Sequence, residues 1–310
     1  MNRVTLTTVK ADARIQRCAI NDPFKSYTPE SETRIGKFRV EENETLRQLN
    51  DAFKQFRLGG IAYDQDYKMI ISLIKGLNYS SKDVLDISVI LAAFQGDTDF
   101  GRKAGIFLSA LVNNHPEKEG EFTIVTENFD RPLDLLGLYN TKHLTIRGDA
   151  GTECGKNNEG TITVKGNVGW ACGDFNGGAI TVDGDTSGYC GPYNGGTITV
   201  NGNVGVTCGF YNSGAINVKG STDHSCGGFN RGRISIEGNT GKDCGNYSKG
   251  IITVNGNAGE LCGDKNEGTI IVKGEIASLS QHPTGDIYRK GKLTIWKGRK
   301  LFWRLPRWGF

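Results

Sequence analysis

The sequence predicts a mostly β protein, a single-stranded parallel β-helix of 18-residue coils preceded by a small α-helical domain. Three observations predict it. Cys154, Cys172, Cys190, Cys208, Cys226, Cys244 and Cys262 follow one another at 18-residue intervals without insertion or deletion. Around each runs the pattern x-Ile-x-Val-x-Gly-Asn-x-Gly-x-x-Cys-Gly-x-x-Asn-x-Gly, as in Thr161 to Gly178. Lastly, apolar residues recur every three or four positions before His115-Pro116 and every second position after Phe122. So strict a period means one unit stacked on its copies, because a slip would carry core side chains to the surface. Each unit is too short to cover its own apolar face, so its neighbours must do so.

Taken in order, residues 1–40 read as an irregular polar arm and 41–118 as the small helical domain. Leu46, Leu49, Phe53 and Phe56 form one helical face, and Met69, Ile70, Leu73 and Ile74 the buried side of a second helix over Tyr67 to Leu77. Ser80 or Ser81 caps a third, Val84 to Phe94, with Asp83 favouring its N-terminal dipole. Asp97 or Thr98 starts a fourth, which runs through Ile106, Leu108 and Leu111 to about Asn114.

Residues 119–298 form the capped β-helix, its regular coils spanning 143–276. Alternating pairs such as Ile162/Val164, Ile198/Val200 and Ile252/Val254 face inward, and their neighbours are mostly polar. Glycine columns, among them Gly155 to Gly263 after each cysteine, mark the corners. Seven coils at the strand spacing make a column of about 34 Å. Both ends need caps, since an open end offers unpaired strand edges. The aperiodic coil at 122–143 is expected at one end, and a last strand Lys292 to Trp296 at the other.

The net charge of +3 is unevenly placed, for residues 277–310 hold eight Lys or Arg against Asp286 alone. The rest of the chain is therefore negative. No signal-peptide core opens the chain and no apolar run reaches membrane length, so a cytoplasmic, non-integral protein is expected. Cysteines there are expected to be reduced thiols.

Segments such as Gly166-Asn167-Val168-Gly169 through Gly177-Gly178 to Val182 resemble the GXGXG β-helix. That module ends the glutamate synthase large subunit and also occurs as the C subunit of formylmethanofuran dehydrogenase. The resemblance covers about residues 120–276. The coil here is about one residue shorter, and cysteine replaces the usual aliphatic residue. A right-handed column used for structure and docking is what the resemblance implies, with no catalytic residue to carry over.

The periodic columns are the candidate sites. The cysteines fit a narrow apolar interior as small buried side chains; the alternative is a thiol line for a soft metal or redox equivalents. No Cys-x-x-Cys pair or accompanying histidine supports zinc. Asn158, Asn176, Asn194, Asn212, Asn230 and Asn266, interrupted by Ser248, fit an amide ladder between coils. Phe175, Tyr193, Tyr211, Phe229 and Tyr247 should point the opposite way from their asparagine neighbours; packing inward is favoured over an exposed partner face. His224 reads as an exposed corner residue, because Asp174 and Pro192 break the six-residue pattern that a histidine-dependent acyltransferase β-helix requires.

In the basic aromatic tail, 299–310 with Lys297 before it, Lys297, Arg299, Lys300, Phe302, Trp303, Arg304, Arg307, Trp308 and Phe310 suit either docking into a partner or a cap on the column. A non-catalytic scaffold or accessory subunit is expected, with no cofactor, and with a protein partner or a second copy rather than nucleic acid. The alternatives are the β-helix subunit of a glutamate synthase-like or formylmethanofuran dehydrogenase-like oxidoreductase, and a thiol-metal or redox protein.

Overall fold

The computed structural model describes residues 40, 43–60, 62–96, 99–117, 120–296 and 299–300; for Trp296, Arg299 and Lys300 only the backbone is described. Residues 1–39 of the expected arm, Asp97, Thr98 and most of the tail lie outside the described residues.

Helix α1 (Glu44–Gln55) begins where the Asn43 side chain accepts the Leu46 N–H at 2.8 Å. Its Leu46, Leu49 and Phe53, with Phe56 just beyond its end, are buried at the expected spacing. Helix α2 (Tyr63–Ile74) starts four residues before Tyr67 and turns a different face inward. Ile70 and Ile74 are fully buried, but Met69 is 45% exposed, which corrects its assignment to the core. The inward stripe is 66/70/74. Asp66, itself buried, spends one carboxylate oxygen on the Gly59 N–H at 2.7 Å and so joins that stripe, rotating Met69 outward. Helix α3 (Ser81–Leu91) starts at a capping box between Ser80 and Asp83. Helix α4 (Phe100–Asn114) is buried almost continuously from Ala104 to Val112.

Strand Glu121–Val125 opens the column and packs beneath α3. From His143–Arg147 onward, parallel strands recur at Thr161–Val164, Ala179–Val182, Thr197–Val200, Ala215–Val218, Arg233–Ile236, Ile251–Val254 and Thr269–Val272. Each residue lies opposite the one 18 positions later. With Asp286–Arg289 they complete a parallel β-solenoid of about nine turns. The inward Ile and Val pairs are fully buried or nearly so. A second, narrower sheet pairs Val168–Trp170, Thr186–Gly188 and Val204–Val206, and single bridges carry it on to Ile276.

The two ends are closed differently. At the start, α4 lies directly on the first coil: a Cβ at Gly105 would sit 1.7 Å from the Asp134 carbonyl oxygen. The Ser109 hydroxyl there accepts the Gly137 N–H at 2.9 Å. The buried core consequently runs without a break from Leu46 in α1 to Ile295 in the last strands. At the far end the expected strand Lys292–Trp296 forms, and it pairs antiparallel with Asp286–Arg289. Arg299–Lys300 then adds a further antiparallel pairing.

Candidate functional site

Each coil turns its tightest corner around its cysteine. The preceding residue, from Glu153 to Leu261, has φ between 50° and 62°, and the glycine after it, from Gly155 to Gly263, between 68° and 80°. That glycine is required twice over. Besides its left-handed backbone, a Cβ at Gly209 would lie 2.5 Å from the Ile234 δ-methyl of the following coil. The cysteine between these two left-handed residues points inward, and all seven are free and fully buried.

Burial pushes the Cys154 thiol up to about 12. Cys172, Cys208 and Cys244 are raised by hydrogen bonds to neighbouring sulfurs and then by burial. Sulfur hydrogen bonds from Cys208 and Cys244 push Cys226 the other way. Yet no cationic group is among its partners, and a fully buried unpaired charge costs more than thiol hydrogen bonds return, so we assign it too as a neutral thiol. Among the described residues no cluster of three His, Cys, Asp or Glu side chains could hold a metal ion. Cys208→Ser is expected to destabilise the protein by about 1–3 kcal/mol, read from its denaturant midpoint, because a hydroxyl gains no assured partner there. An unchanged midpoint would remove cysteine from the core.

Asparagine forms the second inward column. Asn140, Asn158, Asn176, Asn194 and Asn212 each donate an amide N–H to the side-chain oxygen of the asparagine one coil later, at 2.7–2.8 Å. Each amide also bonds the carbonyl two residues on in its own coil, as Asn194 does with Gly196 at 3.1 Å. Asn140 belongs to this ladder although it precedes the regular coils; its distance of 18 residues from Asn158 was the available signal. Ser248 breaks the ladder between Asn230 and Asn266, both fully buried. Ser248→Asn is therefore expected to raise stability by about 1 kcal/mol by restoring two amide contacts, measurable as a higher melting temperature. A lower melting temperature would mean that this corner is too tight for the amide.

Outside the corners a third column uses side-chain oxygens of Asp149, Asn167, Asp185, Asn203, Ser221, Asn239 and Asn257. Each accepts the backbone N–H of the residue 18 positions later, at 2.6–3.0 Å.

The aromatic column faces outward, and the expected inward packing is corrected. Phe175, Tyr193, Tyr211 and Tyr247 are between 38% and 51% exposed, and Phe229 is half-buried. Their backbones are left-handed, φ 51–55°, which points each ring away from its inward asparagine neighbour. The interior, filled by cysteine, asparagine, isoleucine and valine, has no room for them. The rings nonetheless stack on one another, with centroids 4.8, 5.3, 4.8 and 4.9 Å apart and planes within 13° of parallel. Trp170, Tyr189 and Phe210, not singled out by the sequence reading, widen this face beside the ladder. Its two ends are finished by charges. Lys265 donates to the Tyr247 hydroxyl at 2.9 Å, and the nearly buried Lys156 ammonium pairs with Glu153 and with Asp174 at 3.0 Å.

Of the other candidates, His224 is partly exposed beside Asp223, as a corner residue would be. The tail residues Lys297, Phe302, Trp303, Arg304, Arg307, Trp308 and Phe310, and the side chains of Arg299 and Lys300, lie outside the described residues. A shallow depression of about 300 Å³ beside Asp134, Asp149, Thr152 and Asn167 holds no nucleophile–base pair, and its two carboxylates already accept backbone N–H groups. No helix among the described residues is long and apolar enough to cross a membrane.

Fold and surface together define a helix-capped parallel β-solenoid with an external aromatic ladder. The chain matches no protein-family model, no curated protein and no solved structure.

Proposed function

We propose that this chain is a non-catalytic scaffold, a rigid column whose exposed aromatic face docks a protein partner. The observation that carries the reading is the exposure of that face on a hydrogen-bonded framework. Large aromatics set side by side in water mark interaction surfaces more often than inert ones. Inter-coil bonding of three side-chain columns holds the face rigid, which lowers the ordering cost of binding. Burial of the seven column thiols speaks against a redox or soft-metal role for that column, since a reactive thiolate needs access and a lowered pKa.

The test is capture of partners from native lysate by the tagged full-length chain and by a chain ending at Gly298. Flavin, iron–sulfur or molybdopterin subunits among the captured proteins would make this the β-helix subunit of an oxidoreductase. Loss of a partner on truncation would give the basic aromatic tail the docking role. No specific partner on the full chain would sink the scaffold reading.

A further inference from the structure

The aromatic ladder is one end of a longer column, and the chain itself covers the other end. Tyr139 occupies the same corner position two coils before Phe175, with the same left-handed backbone, φ 57°. It is not left to solvent. Helix α2 lies against it: Tyr67 meets its ring edge to face at 5.3 Å and 80°, Tyr63 tilts over it at 6.4 Å, and Asp64 accepts its hydroxyl. One helix thus supplies two aromatic rings and a carboxylate, at spacings of one and four residues, to a single rung.

We propose that the rungs Phe175, Tyr193, Tyr211, Phe229 and Tyr247 seat an amphipathic helix of a partner protein, presenting aromatic rings and a carboxylate as α2 does to Tyr139. This rests on the docking reading above and names the partner's chemistry. Three observations carry it beyond continuity with the α2 contact.

First, because the rungs stack face on face, only their edges point outward. Ring edges carry the positive side of the aromatic quadrupole and attract carboxylate oxygens and the faces of other rings. Sugars, which stack on open ring faces, find none along the ladder.

Second, the spacing suits a helix. Rungs lie 4.8–5.3 Å apart, close to the helical pitch of about 5.4 Å, so successive turns of a helix laid along the column meet successive rungs. The four steps are matched by about 13 helical residues, near the length of α2 itself. A second copy of the whole chain fits less well, since a stripe this narrow falls short of the roughly 800 Å² per partner that a stable dimer needs.

Third, the rings are placed at a backbone cost. The same corner holds Asn157 one coil earlier, and asparagine tolerates left-handed φ better than phenylalanine or tyrosine does. Stacking offsets part of this, but it does not require the tyrosine hydroxyls, and those of Tyr193 and Tyr211 have no partner among the described residues.

The probe is a fluorescent peptide of residues 62–75, held helical by a lactam on the face away from Tyr63 and Tyr67. It is titrated into the full-length chain and into Tyr193→Asn/Tyr211→Asn, a variant that keeps a residue suited to the corner. Saturable binding is expected, weakened about tenfold or more by the ladder variant and similarly by Asp64→Asn/Tyr67→Ala in the peptide. Circular dichroism and melting temperature establish that the variant is folded; if it is not, Tyr211→Phe, which retains the ring, gives the hydroxyl contribution as a separate loss. No saturation at about 1 mM, or binding indifferent to both sets of changes, overturns the helix proposal. A lysate partner retained by the folded ladder variant would overturn this occupant and leave the scaffold reading standing. Peptide binding with no lysate partner would do the reverse.

Discussion

Raising the pH above about 9 should unfold this protein over a narrow range, although none of the seven column thiols reaches solvent. In the unfolded chain a thiol ionises at its ordinary value of 9.0, whereas in the column Cys154 is held up to about 12 and Cys172, Cys208 and Cys244 well above 9.0. The sign follows from proton counting. Below the unfolded value both states keep the proton, and the thiols' contribution is complete. Between the unfolded and folded values only the unfolded chain releases it, so stability falls as pH rises. Each such thiol contributes about 1.4 kcal/mol per pH unit, and the four together about 5.5 kcal/mol per unit, within the range of a whole domain's stability. Urea midpoints at successive pH values measure the slope, and Cys208→Ala should reduce it by about one thiol's share. A profile flat to pH 11 would mean that the thiols ionise in place, and would reopen the redox reading.

Cutting the asparagine ladder at its centre is the second large effect. Asn194 donates to Asn212 at 2.8 Å and to Gly196, and accepts from Asn176 at 2.7 Å. Asn194→Leu leaves an amide N–H on one side and an amide oxygen on the other without their partners, inside the column. At about 1–3 kcal/mol for each buried unpaired group, a loss of about 3–5 kcal/mol is expected, or roughly 10 °C in melting temperature. Asn194→Ser should lose less, because the chain already accommodates serine at 248, where its hydroxyl lies 3.4 Å from the Asn230 carbonyl oxygen. If leucine is as well tolerated as serine, the ladder is not what holds the corner.

The coil period, the strand faces and the existence of an asparagine ladder were legible because each repeats at 18 residues and each repetition is an independent vote for the same position. The outward turn of Phe175 to Tyr247 was not. Alternation assigns faces only in extended backbone, and here three left-handed residues lie within five positions, as Ala171, Gly173 and Phe175 show. Helix α2 departs from the sequence pattern at Met69 for a related reason: the apolar residues 69, 70, 73 and 74 mark one helical side, while the stripe that packs includes Asp66 and leaves Met69 out. The covering of Tyr139 by Tyr63 and Tyr67 joins residues more than 70 positions apart, and no local pattern encodes that contact. For the tail, composition offered two readings, cap or hook, and its aromatic residues fall outside the described residues.

The closure of the two ends has a consequence for inheritance. Gly105 and Ser109 seat α4 on the first coil, and the antiparallel turn after Arg289 ends the last one. Neither depends on how many coils lie between. A gain or loss of 18 residues in the middle keeps cysteine on cysteine, asparagine on asparagine and ring on ring, whereas a change of 17 or 19 breaks all of them at once. The molecule can thus lengthen or shorten in whole coils, about 4.8 Å at a time, with both ends intact. Such a column is a ruler whose markings can be added or removed one by one.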